Sequence, residues 1–198
     1  RKDDYVIVVL ADGLGSGVKA NILSTLTSKI IGTMLSEGAS IDEAVETISS
    51  TLPVCKERGI AYSTFSILQL FNNGDSYLAE YDNPAVIRLR NGKHTELDKT
   101  SRNINGKTIY ESHFKLEAGD IFILMSDGAV HAGIGQTLNF GWQWENIKEY
   151  VEKTYKCEMP VKEYVVQLLT ACSNLYNKIP GDDTTVAAVK IRNESCVN

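Results

Sequence analysis

Four carboxylates stand next to strongly apolar runs in this 198-residue chain. Asp12 follows "YVIVVLA", Asp127 follows "IFILMS", and the pair Asp182 and Asp183 precedes "TTVAAVKI". Each run is typical of a buried strand, because β-branched and other apolar residues occupy it almost without interruption. Since strand ends of one sheet can lie side by side, we expect these carboxylates to meet in space.

Carboxylates that meet repel one another unless a cation lies between them. Hard divalent cations such as Mg²⁺ and Mn²⁺ prefer oxygen ligands of this kind. Gly13 and Gly128 directly follow two of the aspartates, and glycine permits a tight turn whose carbonyl can become a further ligand. Asp-Gly is also a common turn dipeptide. The residues alone therefore leave both a shared metal site and separate turns open.

The glycine-rich turn after Asp12 allows a second interpretation. Residues 15–20, "GSGVKA", match the dinucleotide-binding pattern G-x-G-x-x-A, and Glu37 lies at the spacing of the ribose-binding acid. Asp12 opposes this interpretation, because it would place a negative charge beside the pyrophosphate. A second helix and then hairpins follow, where a dinucleotide-binding half would alternate strands and helices. The sequence favours a metal site over a dinucleotide site.

The surrounding patterns predict the elements that must position the carboxylates. Apolar residues at helical spacing predict helices over 18–37, 41–52, 142–155 and 160–177. Apolar runs predict strands over 5–11, 61–70, 76–81, 85–90, 109–114, 121–126 and 184–191. Ser40 and Glu43 form a capping box for the second helix, whereas residues 98–108 are rich in turn formers. Clustered strands joined by hairpins predict one α+β domain with mainly antiparallel sheet.

Composition excludes several classes of function. The net charge of −5 gives no footprint for nucleic acid, and no apolar run reaches the roughly 20 residues that span a bilayer. We therefore expect neither nucleic acid nor membrane as a partner of this chain. Because no secretory signal is present, we expect a cytoplasmic location and reduced thiols at the four cysteines, which are Cys55, Cys157, Cys172 and Cys196.

The motifs "ADGLGSG", "LMSDG" and "GDDTTVAAV", in this order, resemble the metal-dependent protein phosphatases of type 2C. The resemblance is to the bacterial branch typified by the stage II sporulation protein E phosphatase domain, and it runs from about Tyr5 to Ile191. It implies an αββα sandwich of two mainly antiparallel sheets flanked by helices. It also implies that a metal-activated water hydrolyses phosphoserine or phosphothreonine in a signalling phosphoprotein, such as an anti-anti-sigma-type protein.

The same resemblance assigns roles to the carboxylates. It implies two Mn²⁺ or Mg²⁺ ions, with Asp12 bridging both and the carbonyl of Gly13 binding one. Asp127 and Asp182 would complete the other metal, and Asp183 would be an auxiliary ligand. Catalysis would then act through Asp12, Asp127 and Asp182 by way of the metals.

One departure from the family concerns the start of the chain. The family usually carries another metal-binding aspartate in a "GD" segment on an earlier strand, and neither Asp3 nor Asp4 matches it. We therefore expect a single phosphatase-like domain over residues 1–198, either truncated at its N-terminal edge or belonging to a protein that lacks the first strand. The alternative is a catalytically impaired phosphatase-fold protein that acts as a regulatory binding module.

The sequence offers no protein nucleophile for phosphoester hydrolysis. It contains neither the C-x₅-R signature of cysteine-dependent phosphatases nor a G-x-S-x-G elbow. His131 lies four residues after Asp127, so it is a candidate general acid, although a surface role is the more ordinary one for a lone histidine. The chemistry is therefore expected to depend on the carboxylates and the cations that they bind.

Overall fold

Two antiparallel sheets organise the structure, a computed structural model that describes residues 4–13, 15, 17–51, 63–104, 106–179 and 181–192. The sheets belong to two compact units. The first unit is Arg1–Asn83 with Asp98–Lys115, and the second is Pro84–Leu97 with Leu116–Asn198. The chain leaves the first unit after three strands and returns to it for two more.

The described residues form nine strands and five helices. The strands are β1 (Tyr5–Gly13), β2 (Ser63–Phe71), β3 (Asp75–Tyr81), β4 (Ile87–Arg90), β5 (Lys93–His94), β6 (Thr100–Ile104), β7 (Lys107–Lys115), β8 (Ile121–Met125) and β9 (Val186–Lys190). The helices are α1 (Val18–Ser36), α2 (Ile41–Thr51), α3 (Asp127–Val130), α4 (Trp144–Thr154) and α5 (Val161–Leu175). The predicted α+β class, with two mainly antiparallel sheets and flanking helices, is confirmed.

The sheet of the first unit has the strand order β1-β2-β3-β7-β6, with every neighbouring pair antiparallel. The core of this unit joins α1 and α2 to one face of the sheet, and its fully buried members include Ile31, Val45, Ile48, Phe65 and Ile67. Burial of such side chains contributes about 1.5–3 kcal/mol each. This packing holds α1 directly beyond the end of β1.

The start of α2 confirms the predicted capping box. The amide of Glu43 donates to Ser40 Oγ at 3.1 Å, and the amide of Ser40 donates to Glu43 Oε2 at 2.8 Å. These bonds satisfy two backbone donors that the first turn of a helix otherwise leaves unpaired.

The sheet of the second unit has the order β5-β4-β8-β9, again antiparallel throughout. Its core is built on β8, whose five residues are all buried. Helices α4 and α5 supply the remaining buried residues, among them Ile147, Val151, Tyr164 and Leu168. Trp144 anchors the start of α4, because its indole N–H donates to the carbonyl of Ala85 at 2.7 Å. Strand β8 is therefore set in a tightly packed core, whereas the residues of its partner β9 are half-buried.

The structure corrects the prediction for residues 98–108, where β6 replaces a turn-rich loop. The strand is polar, but it pairs with β7 at the edge of the sheet, where exposed polar side chains are common. Arg102 of β6 also donates to Asp42 Oδ1 at 2.8 Å and to Glu111 Oε1 at 2.7 Å. Those partners lie on α2 and β7, so the local sequence around Arg102 does not reveal them.

The cysteine prediction is wrong at one position. Cys157 is disulfide-bonded, whereas Cys172 is a free, buried thiol. Among the described helices, none has both the length and the apolar character required to cross a bilayer. Several predicted features lie outside the described residues, namely Asp3, Ser16, Cys55, Cys196 and the segment 52–62.

Candidate metal centre

Asp12 and Gly13 end β1 in the first unit, where they pair with Thr64 and Ser63 of β2. The hydroxyl of Ser63, which is buried, donates to the backbone carbonyl of Asp12 at 2.8 Å. The amide of Gly13 donates to Asp12 Oδ1, also at 2.8 Å. The strand end and the direction of the carboxylate are thus fixed by separate hydrogen bonds.

Gly13 cannot carry a larger side chain in this backbone. A Cβ atom at this position would lie 2.1 Å from the carbonyl oxygen of Ala20, in the first turn of α1. The helix therefore begins almost in contact with the end of the strand. This close approach explains the glycine next to Asp12 without requiring a bound phosphate.

Asp127 begins α3 directly after β8 and Ser126 in the second unit. The amide of Ser126 donates to the carbonyl of Thr185 at 3.0 Å, and the amide of Thr185 donates to Ser126 Oγ at 2.9 Å. Ser126 Oγ also lies 3.2 Å from the carbonyl of Asp183, to which it donates. Ser126 is buried, so it joins the turn after β8 to the turn before β9.

The second glycine of the predicted site has the same property as the first. A Cβ atom on Gly128 would lie 2.3 Å from the carbonyl oxygen of Asp183. The structure therefore brings Asp127 and Asp182 together on two adjoining turns, with Asp183 beside them. The side chain of Asp127 is 51% exposed, and Asp182 and Asp183 are exposed, so solvent and a ligand can reach all three.

Two of the predicted ligands share one local geometry. The amide of Asp183 donates to Asp182 Oδ1 at 2.8 Å, just as the amide of Gly13 donates to Asp12 Oδ1. In each case one carboxylate oxygen accepts the N–H of the next residue. Such a bond orients the carboxylate.

Tyr176 was missed by the sequence analysis. It follows α5, is 3% exposed, and donates its hydroxyl to the carbonyl of Gly128 at 2.8 Å. Burial raises the pKa of this phenol, and the nearby carboxylates of Asp182 and Asp127 raise it further. Ser126, in the motif "LMSDG", is visible in the sequence as a polar residue at a strand end. Nothing in the helical pattern of α5 marks Tyr176.

His131 lies near the predicted site but makes a loose contact. Its Nδ1 is 4.0 Å from Asp127 Oδ2, and its side chain is 50% exposed. This distance is beyond hydrogen-bonding range, so the structure supports the surface role better than that of an ordered general acid.

The donor set of the second unit fits a hard cation. Mg²⁺ is commonly held by one or two protein carboxylates together with water and substrate phosphate, and Asp127 and Asp182 supply two exposed carboxylates on adjoining turns. Within the ranges that the structure describes, no group of three or more Asp, Glu, His or Cys side chains is arranged to hold a metal ion. The fit therefore rests on a pair of aspartates.

Comparison with known families identifies the chain. The model of the Stage II sporulation protein E (SpoIIE) family matches residues 2–192. The chain belongs to the SpoIIE family. A search among curated proteins found no match. The predicted resemblance is thereby confirmed, and the SpoIIE-family match covers both units.

Solved structures show the same fold in other SpoIIE-like phosphatase domains. The type 2C phosphatase domain of Bacillus subtilis SpoIIE, with a fragment of its regulatory domain, is 20% identical with a TM-score of 0.77, and the match covers 96% of this chain and 54% of that one. The RsbU and RsbW domains of a Mycobacterium tuberculosis protein are 17% identical with a TM-score of 0.76, covering 96% and 53%.

A third neighbour contains a metal. RsbX in complex with magnesium is 19% identical with a TM-score of 0.61, and the match covers 95% of this chain and 82% of that one. The Bacillus subtilis SpoIIE phosphatase domain has also been solved after presoaking with manganese. At these identities the likeness establishes the fold, which is that of type 2C phosphatase domains. Together with the family match, it supports a protein phosphatase.

Proposed function

We propose that this SpoIIE-family chain is a metal-dependent protein phosphatase that hydrolyses phosphoserine or phosphothreonine. The observation that carries the proposal is the pairing of Asp127 and Asp182 on adjoining, solvent-accessible turns at one end of β8 and β9. A buried serine and the close approach of Gly128 to Asp183 maintain this pairing, although two exposed carboxylates gain nothing from it in the absence of a cation.

We propose Asp12, Asp127 and Asp182 as metal ligands, with the carbonyl of Gly13 as a further ligand and Asp183 as an auxiliary one. The cofactor would be two Mn²⁺ or Mg²⁺ ions, and the magnesium in RsbX supports this choice. When bound, such cations lower the pKa of water and offset charge on phosphoryl oxygens.

The residues of this chain would contribute orientation and not a nucleophile. Asp12 and Asp182 each use one carboxylate oxygen to accept the next amide, which orients the carboxylate before a cation binds. Ser126 holds the turn of Asp127 against residues 183–185. A ligand geometry that exists before metal and substrate arrive reduces the reorganisation needed during the reaction.

We propose a phosphorylated protein as the substrate, an anti-anti-sigma-type protein being the family's usual example, and the cytoplasm as the location. Support for a regulatory substrate comes from the neighbour whose RsbU and RsbW domains belong to one polypeptide. The specificity for serine and threonine comes from the resemblance to type 2C phosphatases.

Phosphate release from a phosphoserine peptide in the presence of Mn²⁺ tests the proposal. Asp127→Asn should lower the rate of phosphate release on the order of a hundredfold or more. Loss of a residue that only orients a metal ligand commonly costs a factor of about 10–100, and loss of a ligand itself should cost more. Glu149→Gln is the matched control, since Glu149 is an exposed carboxylate on α4 that forms an ion pair with Lys153 at 3.1 Å. It should leave the rate unchanged.

Activity of Asp127→Asn equal to that of Glu149→Gln would contradict the assignment. A wild-type chain that binds a phosphoprotein but releases no phosphate would instead support the alternative, a regulatory binding module.

A further inference from the structure

We propose that Tyr176 is a positioning residue that holds the Asp127 and Asp182 turns in the arrangement that binds a divalent cation. This inference rests on the proposed metal-dependent function. No role was assigned to Tyr176 from the sequence, and its phenol is not itself expected to bind the metal, because its hydroxyl is already bonded to a backbone carbonyl.

The first contact of Tyr176 is with the turn of Asp127. Its hydroxyl donates to the carbonyl of Gly128 at 2.8 Å, and both groups are buried. Gly128 is the residue directly after Asp127. The bond therefore fixes the backbone directly after Asp127.

The second contact is with the turn of Asp182. A Cβ atom on Gly181 would lie 3.1 Å from Cε1 and 3.7 Å from Cδ1 of Tyr176. The phenol ring thus lies against the residue directly before Asp182. One side chain contacts the backbone next to both carboxylates.

Tyr176 is itself held firmly. Its amide donates to the carbonyl of Cys172 at 3.0 Å, and its carbonyl accepts the amide of Ile179 at 2.9 Å. The side chain belongs to the buried core of the second unit. The phenol therefore offers the two turns a fixed support that originates in α5.

Such a support adds to the hydrogen bonds of Ser126, which act before Asp127 and after Asp182. Gly128 and Gly181 give the backbone extra freedom next to the carboxylates, and the side chains of Asp127 and Asp182 are open to solvent. Groups that orient metal ligands without touching the metal commonly contribute a factor of about 10–100 to metal affinity. We expect Tyr176 to contribute at the lower end of this range.

Tyr164 provides a matched control on α5, the helix that Tyr176 directly follows. It is 1% exposed, and its hydroxyl donates to the carbonyl of Lys156 at 3.1 Å. Tyr164→Phe therefore removes a buried tyrosine hydroxyl and its bond to a backbone carbonyl, as Tyr176→Phe does, but without altering the turns of Asp127 and Asp182.

The experiment compares Mn²⁺ binding by the wild-type chain, Tyr176→Phe and Tyr164→Phe, with free Mn²⁺ measured by electron paramagnetic resonance. Circular dichroism and thermal unfolding establish that each variant is folded at the temperature used. We expect Tyr176→Phe to weaken Mn²⁺ binding roughly tenfold, and Tyr164→Phe to bind as the wild type does. Loss of stability should be at least as large in Tyr164→Phe, because this variant also leaves the amide of Lys156 without its acceptor, the Tyr164 hydroxyl, at 3.3 Å.

Equal Mn²⁺ affinity in the two folded variants would overturn the role of Tyr176 and leave the proposed function intact. A wild-type chain that binds no Mn²⁺ would instead overturn the metal-dependent function, and the role of Tyr176 with it. Tyr176→Phe could also lose more stability and more Mn²⁺ affinity than Tyr164→Phe. In that case, the melting temperature of both variants is measured with and without saturating Mn²⁺. If Mn²⁺ raises the melting temperature of Tyr164→Phe but not that of Tyr176→Phe, the positioning role is supported. If Mn²⁺ raises both melting temperatures equally, the positioning role is overturned.

Discussion

The two units present their predicted metal ligands in different ways. In the first unit, Asp12 and Gly13 are consecutive, and the helix that closes against them begins five residues later at Val18. In the second unit, Asp127 and Asp182 are far apart in the chain and meet only because β8 pairs with β9. The first turn is built from local sequence, and the second is built from tertiary contacts.

This difference has a physical consequence for stability. The first turn is shaped by its own glycines and by the adjacent helix, and the bond from Ser63 to the carbonyl of Asp12, 51 residues apart, is a long-range contact in addition to these. The turns of the second unit depend on bonds across long separations, such as those of Ser126 with Asp183 and Tyr176 with Gly128, 57 and 48 residues apart. We therefore expect the second pair of turns to be more sensitive to remote substitutions.

The largest expected difference concerns the number of metal ions bound. If Asp12 bridges two ions and Asp182 contacts one, Asp12→Asn should abolish binding of both Mn²⁺ ions, and Asp182→Asn should retain one. Both variants should lose phosphatase activity by on the order of a hundredfold or more. Counting bound Mn²⁺ by electron paramagnetic resonance distinguishes them, and an Asp12→Asn variant with wild-type stoichiometry would show that Asp12 is not a ligand.

The glycines of the two turns should respond alike to substitution. A Cβ atom meets backbone oxygen at 2.1 Å in Gly13→Ala and at 2.3 Å in Gly128→Ala, so each should lower the free energy of unfolding by about 1–3 kcal/mol. Gly32→Ala is the control, because Gly32 lies in α1 with no neighbouring atom within 4 Å of the added Cβ. It should raise stability by about 0.5–1 kcal/mol in chemical denaturation. If Gly32→Ala also lowered the free energy of unfolding, the steric contact of the added Cβ would not explain the effects at Gly13 and Gly128.

The buried thiol of the second unit predicts a pH dependence of stability. Burial raises the pKa of Cys172 from 9.0 to about 11, so the folded state retains the thiol proton where the unfolded state has lost it. The resulting stabilisation is complete below about pH 9 and is lost as the pH rises towards 11. Its size is about 3 kcal/mol. Urea unfolding across this pH interval should show that the wild type loses its advantage in free energy of unfolding over Cys172→Ala as the pH rises. A difference between the two that stays constant with pH would contradict the role of the buried thiol.

The smallest expected difference is between two serines. Ser63→Ala removes a hydroxyl that donates to backbone carbonyls, whereas Ser126→Ala also leaves the amide of Thr185 without its acceptor. The Thr185–Ser126 bond is partly buried, and leaving a donor without its acceptor costs more than losing a donor group. Ser126→Ala should therefore be the more destabilising by about 1 kcal/mol. Equal losses in urea unfolding would indicate that water replaces the missing acceptor.

The same contrast explains how much was predictable from the sequence. The run ending at Asp12, the helix after it and the capping box of Ser40 and Glu43 are local patterns, and each was predicted. The polar strand β6 was not, because Arg102 finds its partners on α2 and β7. Ser126 and Tyr176 were also missed, since their roles arise from contacts that a helical or strand period does not encode.

The order of the three motifs indicates the correct family from the sequence alone, because three short motifs in one sequence are more specific than any one of them. The convergence of Asp127 and Asp182 could be proposed from two strand ends. The close approach of Gly128 to Asp183 required the register of β8 and β9, in which Met125 pairs with Val186. Register follows from packing and turn geometry over the whole sheet.

The central claim is that this chain hydrolyses phosphoprotein substrates through divalent cations held by Asp12, Asp127 and Asp182. The most direct test measures phosphate release from a phosphoserine peptide while Mn²⁺ is added to the metal-free chain and bound Mn²⁺ is counted in the same samples. The account predicts that phosphate release is absent without metal, rises with Mn²⁺ occupancy and is lost again on chelation. Full activity in excess EDTA would contradict it.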